Sequence, residues 1–212
     1  MKTRSILFGI TMLLLSASIY AQKIRVGISA GPVLSNMFSK VDDEKETVDM
    51  KAGFAAGLAV NAAITENIDI QSGLNFVQKG GKEKDDGYKF TLSLNYVELP
   101  VNFVYHFGEK QNSFFVGLGP TLAMGISGKM KAKIEGFGTE SEKIKFGNDP
   151  DKHDFKRMDV GANILAGYHV SPNLFISAQY NHGFSNLFID DSDDAKLNNR
   201  YWALKVGWLF GN

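Results

Sequence analysis

Phe114-Phe115-Val116-Gly117-Leu118-Gly119-Pro120-Thr121-Leu122-Ala123-Met124-Gly125-Ile126-Ser127 alternates without a break. Phe114, Val116, Leu118, Pro120, Leu122, Met124 and Ile126 fall in one phase. Phe115, Gly117, Gly119, Thr121, Ala123, Gly125 and Ser127 fall in the other. Successive strand side chains point to opposite faces. The stretch is therefore a strand with one bulky apolar face and one small or polar face.

The same split recurs along the chain. Ile24, Val26 and Ile28 oppose Arg25, Gly27 and Ser29, and Phe54, Leu58 and Val60 oppose Gly53, Gly57 and Asn61. Ile68, Ile70, Leu74 and Phe76 oppose Asn67, Asp69, Gly73 and Asn75. Met158, Val160 and Ile164 oppose Asp159, Gly161 and Asn163, while Leu174, Ile176 and Tyr180 oppose Phe175, Ser177 and Asn181. Trp202, Leu204, Val206, Trp208 and Phe210 oppose Tyr201, Ala203, Lys205, Gly207 and Leu209. No charge lies on a bulky face; Arg25, Asp69, Asp159 and Lys205 all lie on the small one. A lipid-facing Arg or Lys at the bilayer midplane costs about 2–4 kcal/mol, so this is the pattern of a barrel whose outside is hydrocarbon. A soluble barrel reverses it, with greasy residues inside and charges outside.

One further strand, about residues 89–106, changes phase. Phe90, Leu92 and Leu94 are bulky on even numbers, whereas Leu99, Val101, Phe103 and Tyr105 are bulky on odd ones. This predicts a β-bulge between Asn95 and Pro100, which also accommodates the proline. Glu98 then joins the polar face, with Arg25 or Lys205 as its expected partner. The total is an all-β, eight-stranded, antiparallel up-and-down transmembrane β-barrel.

Connections alternate in length. Those at about 35–51, 79–88, 128–156 and 183–197 are long and polar; those at 65–67, 108–112 and 171–173 are short. Outer-membrane barrels put short turns in the periplasm and long loops outside. Aromatics gather at both expected interfaces: Tyr105, Phe107, Phe114, Tyr168, Trp208 and Phe210 toward the short turns, and Phe54, Phe76, Phe90 and Trp202 toward the long loops. Within 128–156, Lys129–Ile134 and Lys143–Phe146 are faintly strand-like, enough for a partner-binding hairpin.

The N-terminus carries Lys2 and Arg4, an apolar run from Ile6 to Ile19, and small residues before Ala21-Gln22. That is the build of an export signal over residues 1–21, too short for a membrane span. Residues 22–212 then form the barrel domain. Removing Lys2 and Arg4 from the 23 basic residues leaves 21 against 23 acidic ones, a balance that does not point to nucleic acid as a partner. The absence of Cys excludes disulfides, thiol chemistry and a lipid-bearing cysteine.

Several elements carry a resemblance: residues 26–31 (VGISAG), 71–80 (QSGLNFVQKG), 94–101 (LNYVELPV) and 115–120 (FVGLGP). Together they resemble the PorT-like outer-membrane β-barrel family common in Bacteroidetes-type bacteria, over about residues 23–212. The Tyr96-x-Glu98-x-Pro100 element is the most specific of them. The resemblance implies an eight-stranded barrel in the outer membrane. It does not fix a role, although one branch is similar to a component of a gliding and protein-secretion machine.

Catalysis is not expected. His106, His153, His169 and His182 have no metal-ligand spacing. The acidic run Asp190–Asp194 lacks the glycine and closing glutamate of a calcium loop and reads as a solvated loop tip. His182, Ser185 and Asp190 near the outer rim match no nucleophile signature. The inner charges Arg25, Asp69, Glu98, Asp159 and Lys205 predict a paired polar network that plugs the lumen; the alternative is a narrow solute path. The expectation is a monomeric, cofactor-free protein of the outer membrane with a structural or interaction role, contacting lipid and envelope or secretion-system proteins. A small porin-like channel, or a PorT-like accessory of a protein-secretion system, is the alternative.

Overall fold

A strand in hydrocarbon must find partners for all its backbone N–H and C=O groups, which only a closed sheet supplies. The computed structural model describes residues 24–41, 44–108, 112–189 and 195–210. It contains strands β1 (Ile24–Val41), β2 (Glu44–Thr47), β3 (Lys51–Ala63), β4 (Ile68–Asp85) and β5 (Tyr88–Phe107). These are followed by β6 (Phe114–Ile134), β7 (Gly138–Ile144), β8 (Met158–His169), β9 (Leu174–Gly183) and β10 (Ala195–Phe210). Eight of them form a ring in the order β1-β3-β4-β5-β6-β8-β9-β10, closed by β10 on β1. All ring pairings are antiparallel, and the closing register runs from Val26↔Phe210 to Val41↔Ala195. The short strands β2 and β7 extend the walls by pairing with the upper ends of β1 and β6. The expected signal segment 1–21 and the acidic run Asp190–Asp194 lie outside the described residues.

The bulky faces point outward. Phe114, Leu118, Leu204 and Trp208 are all exposed, Leu118 at 64% and Trp208 at 46%, so they do not form a central core. Small inner-face residues make room for the few rings that do point in. A Cβ on Gly207 would lie 2.1 Å from the Phe175 ring, and one on Gly167 would lie 2.3 Å from Phe115. The outer band is edged by aromatic contacts, Tyr105–Phe107 and Phe114–Tyr168 at the short-turn end and Phe54–Phe76 and Tyr180–Trp202 at the other. From Trp202 to Phe210 a tilted strand climbs about 20 Å, comparable to the apolar band of outer-membrane barrels.

Three expectations need correction. First, β5 does not change phase: its even positions face inward throughout, with Leu92, Leu94, Tyr96 and Glu98 all buried. The bulge exists, but on the partner strand. Asn95 pairs with Ser127 and Tyr96 with Gly125, so Ile126 of β6 is the extra residue. Pro100 stays in the ladder opposite Thr121, and Ser72 Oγ donates to its carbonyl oxygen at 2.8 Å. Second, Phe90 is not part of the outer aromatic belt; it packs against the internal cluster at the loop end. Third, the connection expected at 79–88 is almost all strand, since β4 and β5 pair up to Asp85↔Tyr88. The 128–156 segment does hold a hairpin, formed by the upper part of β6 and β7.

The outward assignment makes a direct prediction. Leu118→Arg should lower barrel stability in phosphatidylcholine vesicles by about 2–4 kcal/mol, read from urea titrations of tryptophan fluorescence. Arg at Lys129, above the bulge, should leave the midpoint unchanged.

Candidate functional site

The middle of the lumen is filled by a connected polar cluster. Lys79 Nζ lies 3.1 Å from Glu98 Oε2 and 3.1 Å from Asp159 Oδ2, with all three side chains at most 1% exposed. Its charge also sits over the rings of Tyr96 and Tyr201, at 4.8 and 5.3 Å from their centroids. Such contacts favour a desolvated cation. Tyr201 donates its hydroxyl proton to Glu98 Oε1 at 2.6 Å, and Asn199 Nδ2 donates to Asp159 Oδ2 at 2.9 Å. Charged partners shorten and strengthen such bonds.

From Tyr201 the network continues across the barrel. Gln179 Nε2 donates to Tyr201 Oη and to Asn163 Oδ1, both at 2.9 Å, and Gln179 Oε1 accepts from Lys205 Nζ at 2.9 Å. Asn181 Nδ2 reaches Asn163 Oδ1 at 2.8 Å and Thr121 Oγ1 at 3.0 Å. Residues from β4, β5, β6, β8, β9 and β10 are thus tied together across the axis. Lys79 and Lys205 balance Glu98 and Asp159. A residual cavity of about 30 Å³ beside Lys205 and Gln179 has room for one or two waters.

The five charges expected inside fall into two groups. Glu98, Asp159 and Lys205 belong to the central cluster. Arg25 and Asp69 lie at the short-turn end, lining a cavity of about 80 Å³ with Asn61, His106 and His169. There His106 Nε2 is 3.0 Å from Asp69 Oδ2, Arg25 Nη2 donates to the Pro172 carbonyl oxygen, and the charge of Asp69 acts on Arg25. The expected partner of Glu98 is Arg25 or Lys205; its direct ion pair is instead with Lys79, although its charge also acts on Lys205. Lys79 falls in the connection expected at 79–88, whereas β4 runs on to Asp85. Extending the odd-numbered inward phase of Asp69, Gln71, Gly73, Asn75 and Val77 by one step would have found it.

At the loop end the lumen is sealed by apolar side chains. Met37, Leu92, Leu94, Tyr96, Ile144, Phe146 and Leu187 form one buried cluster. Leu187 is fully buried although it lies in a connection expected to be a polar loop; its N–H donates to Leu197 O at 2.9 Å. Phe146 and Tyr96 meet edge to face with ring centroids 5.5 Å apart, so the outer seal rests on the polar cluster. Beyond the seal, Lys152 bonds Asp149 at 2.7 Å and, with the Asp151 N–H, holds that carboxyl below its ordinary value.

A family model described as outer membrane protein beta-barrel domain matches residues 20–189. The chain belongs to that family. It is an outer-membrane protein, and its barrel is embedded in that membrane. Similar solved structures include Ail, the attachment invasion locus protein of Yersinia pestis, at 19% identity and a TM-score of 0.47, covering 88% of this chain and 98% of that one. Neisserial surface protein A is similar at 12% identity and a TM-score of 0.41, covering 88% and 97%. OprG from Pseudomonas aeruginosa is similar at 8% identity and a TM-score of 0.42, covering 90% and 98%. No curated protein matches the sequence.

For this family member the central ion cluster has a measurable consequence. Lys79→Met leaves two buried carboxylates without their cation, and breaking a buried pair in this way costs about 3–5 kcal/mol. Urea titration in vesicles should show that loss. Adding Glu98→Gln and Asp159→Asn should restore most of it. A wild-type midpoint for Lys79→Met alone would mean that the cluster does not support the barrel.

Proposed function

We propose that this outer-membrane barrel is a closed, non-conducting platform that presents its extracellular hairpins to partners in the cell envelope. The observation that carries the reading is the lumen: Lys79, Glu98, Asp159, Tyr201 and Gln179 bridge it, and the Leu94–Phe146–Leu187 cluster covers it. In this reading Arg25, Asp69, Glu98, Asp159 and Lys205 are structural, and the exposed chemistry resides in the β4–β5 and β6–β7 hairpins. One chain closes the barrel, so the protein is read as a monomer that can recruit secretion-system or other envelope proteins.

The reading is non-enzymatic. Ser185 Oγ accepts from the Val160 N–H at 2.8 Å, and His182 Nδ1 is 3.2 Å from Tyr180 Oη. The rim serine and histidine thus have separate partners, which does not favour a nucleophile with its base. A PorT-like assignment within the family is supported by the Tyr96-x-Glu98-x-Pro100 element. Tyr96 and Glu98 of that motif both meet Lys79, which gives its spacing a physical purpose.

Planar-bilayer recording tests the platform against the channel. The purified protein should give no stable resolved conductance step at neutral pH, and Lys79→Met should raise the frequency of brief openings. A steady open state in the wild type would replace the platform with a small pore.

A further inference from the structure

Above the lipid band, the upper ends of β4, β5, β6 and β7 form a four-stranded sheet with two unlike faces. Its register places Lys84 opposite Lys89, Lys89 opposite Lys133, and Lys129 opposite Lys143. Lys82, Thr91, Lys131 and Ser141 make the intervening tier on the same face. Every acidic residue of these strand segments is on the other face: Glu83 and Asp85 opposite Phe90 and Tyr88, and Glu140 and Glu142 opposite Ala132 and Met130. The lower apolar members of that second face, Phe90, Leu92 and Met130, pack on the internal cluster, while Tyr88 and Ile134 at the tip are exposed. The lysine face is therefore the outward one. It continues the surface that lower down bears Leu99, Leu122 and Ile126, all exposed.

Like charges directly opposite one another on a sheet are destabilising. Here three such pairs share a face of seven lysines, and the acids that border it, Asp49 bridged to Lys82 and Glu135 beside Lys84, Lys89 and Lys133, leave it strongly positive. The arrangement calls for an anion supplied from outside. Height identifies it. Counting along a tilted strand, Lys129 lies about 7 Å above Ile126 and Lys133 about 17 Å above it. Headgroups occupy roughly the first 5–8 Å beyond the hydrocarbon. The lowest tier is thus level with lipid phosphates, and the upper tiers reach into a thicker, sugar-bearing headgroup layer. We propose that this lysine face docks laterally on the phosphate-bearing headgroups of outer-leaflet glycolipid, fixing the depth and rotation of the barrel. The proposal rests on the platform reading only for the hairpins standing outside the membrane; it does not depend on a closed lumen.

Protein isolated from outer membranes, in neutral detergent, is titrated with lipid A or with phosphatidylcholine, and bound lipid is counted by native mass spectrometry. The wild type should retain lipid A selectively, and the selectivity should collapse at molar salt, where the screening length falls to about 3 Å. A lysine near an anionic lipid surface strengthens attraction about fivefold. The combined variant Lys89→Gln, Lys129→Gln, Lys131→Gln and Lys133→Gln should therefore lose at least about tenfold in lipid A retention while keeping the heat-modifiable gel migration of a folded barrel. Glu140→Gln with Glu142→Gln, on the opposite face, should retain lipid A as the wild type does. Equal retention of both lipids, salt-insensitive retention by the wild type, or unchanged retention by the lysine variant would overturn the proposal. So would displacement of lipid A by soluble inositol hexaphosphate at equal concentration, which would make the face a receptor for free polyanions. A conductance step in bilayers would sink the platform reading and leave this result standing.

Discussion

Hydrocarbon offers no hydrogen bonds, and this constraint governs the molecule. Each backbone group in the band must be paired within the sheet, so the last strand must return to the first. The β1–β10 ladder, from Val26↔Phe210 upward, completes that circuit. Once the ring closes, alternation leaves no choice of role. One phase, including Leu118, Leu204 and Trp208, meets lipid, and the other must fill a narrow interior. Glycines at 167 and 207 exist because that interior also has to receive Phe115 and Phe175.

A lumen this narrow is filled by side chains rather than solvent, and charges in it must be paired. Lys79 meets this requirement for two carboxylates on different strands, Glu98 on β5 and Asp159 on β8, while Tyr201 satisfies the other oxygen of Glu98 and Asn199 adds a second donor to the Asp159 oxygen that Lys79 holds. The apolar seal above it and the Arg25–Asp69–His106 group below it make three layers along the axis. The contents of the barrel thus follow from its diameter, and they direct attention for function to the surfaces beyond the band.

The misread phase of β5 shows how environment enters a pattern. Within the band, bulky residues face out because lipid is there. Above it, water lies outside and the hairpins fold over an apolar interior, so bulky residues face in. Leu92 and Leu94 therefore look one register away from Leu99 and Val101 although β5 itself is regular. In β6 the same inversion occurs together with a real bulge at Ile126, and the two cancel. Leu122, Met124 and Met130 remain in one numerical phase, although the first two face lipid and the last faces the inside. A period-two reading cannot separate a slipped chain from a changed surrounding.

The amino-acid order alone determined the all-β class, the strands that cross the band, their facing, and the membrane environment. Each of these follows from local alternation and from the exclusion of charge from one face, which are properties of neighbours along the chain. Only the tertiary structure decided which ions meet, because Lys79, Glu98 and Asp159 come from strands whose separation across the ring no local pattern encodes. It also decided where the bulge sits and that the lysines of four strands share one face. Those outcomes depend on register between strands, which hydrogen bonding fixes only when the barrel closes.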